Sequence, residues 1–191
     1  MRNVVELCEH VRNHGQPRMV LFWGHQPSKN GSITKTCFSQ WFEAEFVIDG
    51  TRYPTAEHFM MAEKARLFGD AVALDRILQA RNPAVAKAAG REVQGFDEEI
   101  WAANRWDIVV QANYAKFAQN APLRDFLLAT GEQVLVEASP VDFVWGTGFA
   151  ADSPYAENPS EWTGMNLLGF ALMEVRSRLS ECSGACANSP P

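Results

Sequence analysis

Apolar positions along the chain fall into short blocks, separated by polar stretches marked with glycine and proline. Residues 1–18 are polar and predict a lead-in carrying a short helix over Val4–Val11. Met19–Trp23 is an unbroken apolar run of strand length, and residues 24–36, with Pro27, Asn30 and Gly31, read as a surface loop. Strand-favouring residues flank Asp49-Gly50, a pair that tolerates the positive φ angles of a type I′ turn, so a hairpin is predicted near 45–53. Thr55 is placed to cap a helix over Ala56–Phe68 that Gly69 ends. Asp70 can cap a helix over Ala71–Ala80. Asn82-Pro83 restarts a short one that stops at Gly90, and Asp97 opens a long one to about Ala118. Pro122 begins another, closed by Gly131, before a short strand at Val134–Ala138. Residues 139–163 are dense in proline, aromatic residues and glycine. They predict an ordered loop longer than connections usually are, which itself points to function. Met165–Leu179 reads as a last amphipathic helix, and 180–191 as a small, polar tail.

Composition narrows the class. Apolar residues make up 47% and charged residues 21%, the balance of a globular chain with one buried core. No apolar run approaches the roughly 18 residues needed to cross a bilayer, so no membrane partner is expected. The first residues lack an apolar leader core, so a secretory signal is not expected. A formal net charge of −6 disfavours a general phosphate-tracking surface but leaves room for a local basic pocket. Cys8, Cys37, Cys182 and Cys186 are scattered, which fits a reducing, cytoplasmic setting rather than a disulfide framework. The histidines show no metal-binding spacing, and no metal or cofactor is expected. Gly146-x-Gly148-x-x-Ala151 matches a loose dinucleotide fingerprint. Asp152-Ser153-Pro154 cannot readily continue the helix that such a fingerprint must open, so this reading is rejected.

Three groupings carry candidate chemistry. Glu57 and Lys64 sit two turns apart on one face of the helix after Thr55. An acid in a first turn is held ionised by the helix dipole and can stabilise a developing cation. The lysine can bind phosphate, pair with the acid or act as an amine nucleophile. The same spacing is also what a solvated helix shows. In the second grouping, Asp142 and Trp145 precede Gly146 and Gly148. Aspartate can move protons, an indole can stack on a planar base, and glycines let a ligand approach the backbone. A tight turn with a packed tryptophan and a capping aspartate is the plainer reading. In the third, Trp101 and Arg105 lie one turn apart, a pair that suits an anionic or aromatic ligand, but spacing alone favours a packing tryptophan beside an exposed arginine. Lys116-Phe117 with Gln119-Asn120 reads as capping and surface chemistry, and Asn166 as the cap of the last helix.

The ordered set of segments resembles one family. Tyr53-Pro54-Thr55-Ala56-Glu57-His58-Phe59, Lys64-Ala65, Gly90-Arg91-Glu92-Val93, Trp101 with Arg105, and Lys116-Phe117-x-Gln119-Asn120 fit in register. So do Asp142-x-x-Trp145-Gly146-x-Gly148 and Trp162-x-Gly164-x-Asn166-Leu167-Leu168-Gly169. Together they are similar to the NADAR superfamily, the YbiA-like N-glycosidases, over about 19–179. Residues 1–18 and 180–191 then become lead-in and tail. The resemblance implies a compact, mostly helical α+β domain and hydrolysis of the N-glycosidic bond between a ribose and an amine or base. Implied substrates are small molecules, the ribosylaminopyrimidine phosphates of early riboflavin synthesis, or ADP-ribose on guanine, including ADP-ribosylated nucleic acid. The implied catalytic set is Glu57, Lys64, Trp101, Asp142 and Trp145. Phe38, Ser39, Gln40, Arg91, Arg105, Gly146, Gly148 and Asn166 are expected to contact substrate. The segment Phe38-Ser39-Gln40-Trp41-Phe42 departs from the family's usual Ser-Asn-Phe, and the longer amide of Gln40 could alter substrate choice.

The chemistry suits these residue types. Loss of the base leaves an oxocarbenium-like ribose that carboxylates can stabilise. Alternatively, ring-opened ribose presents C1 to the Lys64 amine. Glu57 is expected to stay charged, leaving Asp142 as the proton carrier, an order that burial could reverse. A non-catalytic ADP-ribose or nucleotide reader on the same fold, and a plain interaction module, are the competing readings.

Overall fold

A computed structural model of the chain describes residues 1–187, with side chains through Cys182. Seven helices and four short strands among the described residues make the fold α+β and mostly helical. The chain divides into two units, residues 1–39 with 122–191, and residues 40–121.

The first unit is built on a parallel strand pair. β1 (Met19–Phe22) lies beside β4 (Val134–Glu137), with Met19 opposite Val134 and Phe22 opposite Glu137. Helix α7 (Leu167–Ala187) packs on β4. Phe22, Leu135, Phe170 and Leu172 are buried there. Residues of the expected tail as far as Ala187 continue α7, and 188–191 lie outside the described residues. The predicted start of this helix at Met165 is corrected to Leu167. The backbone N–H groups of Gly164, Met165 and Asn166 donate instead to the carbonyls of Thr147, Phe143 and Gly146, at 2.8, 2.9 and 2.9 Å. That ladder makes the long loop an ordered one. Helix α1 (Val4–His14) extends further than predicted and packs on a single turn of 3-10 helix at Pro159–Glu161. The unit is completed by a 3-10 turn at Lys35–Phe38 and by helix α6 (Ala121–Leu128), whose first residue, Ala121, belongs to the second unit.

The second unit begins with the predicted hairpin, β2 (Phe46–Ile48) and β3 (Thr51–Tyr53). Asp49 and Gly50 adopt φ of 49° and 75°, the left-handed pair that a type I′ turn demands. Four helices follow. They are α2 (Ala56–Leu67), α3 (Ala71–Leu78), α4 (Pro83–Arg91) and α5 (Glu98–Gln119). The predicted caps hold: Thr55, Asp70, Asn82 and Asp97 each accept the N–H three residues on. Gly90 does not end α4. It lies inside the helix, where an added Cβ would strike the Met61 thioether, so its missing side chain lets α4 close on α2. Nor is Lys116 a surface residue, while the exposed Gln119 has a structural partner. Lys116 is fully buried beside the rings of Phe42 and Phe117. The Gln119 amide pairs with both backbone groups of Val47, at 2.9 and 2.8 Å, completing the open edge of the hairpin.

His58, on the buried face of α2, bonds Thr55 Oγ1 through Nδ1 at 2.8 Å and the Ala80 carbonyl through Nε2 at 3.2 Å. Burial holds its pKa below the ordinary histidine value, and the Ala80 carbonyl opposes the shift. A depressed folded-state pKa gives stability that is fully present above about pH 6.5 and is lost as pH falls below it. The melting temperature should therefore drop between pH 7.5 and 5.5, and the drop should shrink in His58→Gln. Parallel melts of the two proteins check this, and equal drops would remove His58 from the account.

No described helix is long and apolar enough to cross a membrane.

Candidate active site

In the second unit, the sequence-predicted residues gather around α2 and the start of α5. Glu57 is the second residue of α2 and only 2% exposed. Its backbone N–H donates to the Gln40 carbonyl at 3.0 Å. The Gln40 side chain is also buried. Its Oε1 accepts from Asn113 Nδ2 at 3.0 Å, and Asn113 donates as well to the Val109 carbonyl, one turn back along α5. The amide at position 40 is therefore held by α5, which fixes the carbonyl that receives the first turn of α2.

Lys64 lies two turns beyond Glu57. Its Nζ is 4.0 Å from the centroid of the Phe96 ring and 5.8 Å from that of Trp101. Aromatic faces attract an ammonium through their quadrupoles, but they return less than the water that burial removes. Burial accordingly pushes the Lys64 pKa below the usual lysine range, with the charge of Glu98 opposing. Trp101 is buried. Arg105 is not the exposed arginine that spacing favours. Its side chain keeps 12% exposure, and Nη1 stands 3.3 Å from Glu98 Oε1. One acid thus serves two cations. Arg91, at the end of α4, is exposed and forms no ion pair among the described residues.

In the first unit, Asp142 Oδ1 accepts the N–H groups of Val144 and Trp145, at 3.0 and 2.8 Å. This is the capping turn of the plainer reading. Oδ2 takes no hydrogen bond from the described residues, so one oxygen holds the loop and the other remains for chemistry. Trp145 is half-buried, neither a core ring nor an open platform. Gly146 and Gly148 answer to backbone crowding. A Cβ on Gly146 would sit 2.9 Å from the Glu137 carbonyl oxygen, and one on Gly148, at φ 80°, would collide with Thr163 Oγ1.

Phe38, Ser39 and Asn166, expected as substrate contacts, have these surroundings. Phe38 has no exposure and packs its ring between Phe22 and Phe126, with centroids 5.4 and 5.5 Å away. Ser39 follows it, half-buried, with its N–H on the Thr36 carbonyl at 3.2 Å. The Asn166 side chain neither caps α7 nor reaches outward. It is fully buried at φ 51°, where Nδ2 donates to the Leu135 carbonyl at 3.0 Å and Oδ1 accepts from Glu137 N–H at 2.9 Å. Both polar ends are spent on the free edge of β4.

Phe96 and Asn113 are the residues that sequence reasoning missed. Phe96 had a readable signal. It precedes the Asp97 cap, and Trp101 lies four positions after that cap, so the two occupy the N′ and N4 sites of a hydrophobic staple. Asn113 had none, because a lone amide in a long helix points nowhere until its partner is known. Among the described residues no three His, Cys, Asp or Glu side chains group as metal ligands.

N-glycosidase R617 of Acanthamoeba polyphaga mimivirus is 41% identical over 144 residues, covering 73% of this chain and 85% of that protein. The riboflavin biosynthesis protein VVA0006 of Vibrio vulnificus is 30% identical over 175 residues, covering 92% of this chain but 42% of that protein. N-glycosidase YbiA of Escherichia coli is 33% identical over 143 residues, or 75% of this chain and 81% of YbiA. The NMR structure of E. coli YbiA superposes with a TM-score of 0.67 at 28% identity, covering 88% of each chain. Residues 21–180 match the NADAR domain, and with that span matched the chain belongs to the NADAR domain family.

Proposed function

We propose that this chain is an N-glycosidase, hydrolysing the bond between the anomeric carbon of a ribose and the nitrogen of an amine or base. The relatives named N-glycosidase support the reaction class. The observation that carries it is the burial of Glu57, 2% exposed at the start of a helix that also carries an amine of lowered pKa. Burying a carboxyl is costly. A module that only reads nucleotides needs pocket shape and gains nothing from that expense, whereas a reaction passing through a cationic sugar needs a sheltered acid.

Glu57 is the group proposed to face the developing positive charge at C1. The lowered pKa of Lys64 enlarges its neutral fraction, which suits the imine route. In that route the ε-amine adds to C1 of ring-opened ribose and the amine or base leaves with a proton. Water then hydrolyses the lysine imine and restores the amine. Asp142, through its second oxygen, is proposed as proton carrier and Trp145 as platform for the departing heterocycle. Both rest on the sequence match. Substrates of two kinds fit this chemistry, ribosylaminopyrimidine phosphates and ADP-ribose joined to guanine. The net charge of −6 favours a small or locally gripped substrate over long nucleic acid.

A cleavage panel across both substrate groups tests the activity. Binding without turnover on every member would assign the chain to nucleotide reading instead. For the imine route, borohydride should trap a protein–sugar adduct in wild type and none in Lys64→Ala. Equal adduct in both would remove Lys64 from the imine route, and no adduct during active turnover would leave direct attack by water.

A further inference from the structure

The first unit contains a cavity of about 930 Å³ between the start of β1, the turn after α6, and α7. None of the residues assigned above to catalysis or substrate contact lines it. Its size suits a small organic ligand. Its charged lining side chains are Arg18, Arg176 and Glu132, a positive balance in a chain that is acidic overall.

Arg176 is the informative residue. Its Nη1 donates to Thr130 Oγ1 at 2.7 Å and to the Gln133 carbonyl at 2.8 Å. Both partners are neutral, and Nε and Nη2 have no hydrogen-bond partner among the described residues. Of the described arginines with no carboxylate within ion-pair distance, Arg176 is the one that is not exposed. A half-buried guanidinium normally meets an acid, because its charge is costly to desolvate alone. Here the two bonds to Thr130 and Gln133 hold one end of the planar fork and leave the other without an acceptor among the described residues. Burial depresses the pKa of this group, and only the more distant charge of Glu132 opposes that. Arg18, exposed and unpaired among the described residues, adds a second cation to the same lining.

We propose that this cavity is a binding site for a phosphorylated small molecule, its phosphate oxygens held by the free edge of the Arg176 guanidinium and by Arg18. Bidentate arginine–phosphate contact supplies the missing counter-charge and fills the open donor positions together.

Pyrophosphate is the probe, titrated into the whole chain against sodium chloride at equal ionic strength. Melting temperature and 31P line width are the readouts. Wild type should show a saturable rise of about 5 °C, the scale expected of a ligand that binds only the folded state, together with a broadened 31P signal. Arg18→Gln and Arg176→Lys should each weaken the apparent affinity about tenfold, while Arg81→Gln, an exposed arginine outside the cavity, should behave as wild type. Arg18→Gln removes no contact that holds the fold, so it decides the matter if Arg176→Lys proves unstable. No rise above the chloride control, an unchanged affinity in Arg18→Gln, or an equal loss in Arg81→Gln would each overturn the proposal.

Discussion

Glu57→Gln should abolish sugar–base cleavage while leaving the fold intact. The substitution keeps the shape of the side chain at the start of α2, and the backbone N–H of residue 57 still reaches the Gln40 carbonyl. What disappears is the carboxyl group's capacity to carry a negative charge or a proton. Removing a group that stabilises charge or moves a proton in the transition state typically costs 10²- to 10⁴-fold, and roughly 10³-fold is expected here. Because the charge matters most as the base departs, the loss should fall on kcat rather than on KM. Steady-state assays on whichever panel member wild type cleaves, with circular dichroism alongside, give the test. A variant that turns over at the wild-type rate would end the assignment of Glu57, and with it the observation on which the proposed function rests.

The second large effect is on stability. Asn166→Ala removes one buried and one partly buried hydrogen bond and strands the Leu135 carbonyl and the Glu137 N–H at the edge of β4. Each stranded group costs about 1–3 kcal/mol, so a loss of about 3 kcal/mol is expected. For a chain of this length that lowers the melting temperature by about 10 °C. Asn166→Gly separates the two contributions. Glycine accepts the φ of 51° without a Cβ penalty, so it should be the less damaging change by about 1 kcal/mol. Denaturant unfolding of the three proteins reports both steps. If alanine and glycine leave stability unchanged, the amide does not hold the strand edge.

What could be read along the chain was the chemistry that closes within a few residues. Thr55, Asp70, Asn82 and Asp97 announce helix starts because each side chain meets an N–H three positions on. Asp49-Gly50 announces its turn because the strain lies within those two residues. The misread positions share the opposite property. Gly90 resembles a helix stop until Met61 is seen against it. Lys116 and Gln119 resemble a polar helix end until the rings of Phe42 and Phe117 and the backbone of Val47 are in place. Asn166 has the look of a cap, and its partners lie about thirty residues earlier. The acid and the lysine of the candidate site were legible through their register in the family pattern. The Phe96 ring that sets the surroundings of Lys64 was not selected, because a sequence carries no distance from position 64 to position 96.

Local order thus came from the residues in their own neighbourhoods: helix starts, the hairpin, the α+β class, and the family to which the ordered motifs belong. The parallel pairing of β1 with β4, the burial of Glu57, the depressed pKa of Lys64, and the half-free guanidinium of Arg176 came from the fold. Capping and turn formation act within a few neighbouring residues, where sequence spacing and spatial distance coincide. Desolvation and strand pairing depend on which remote segments exclude water or supply a partner, and that is settled when the chain closes on itself.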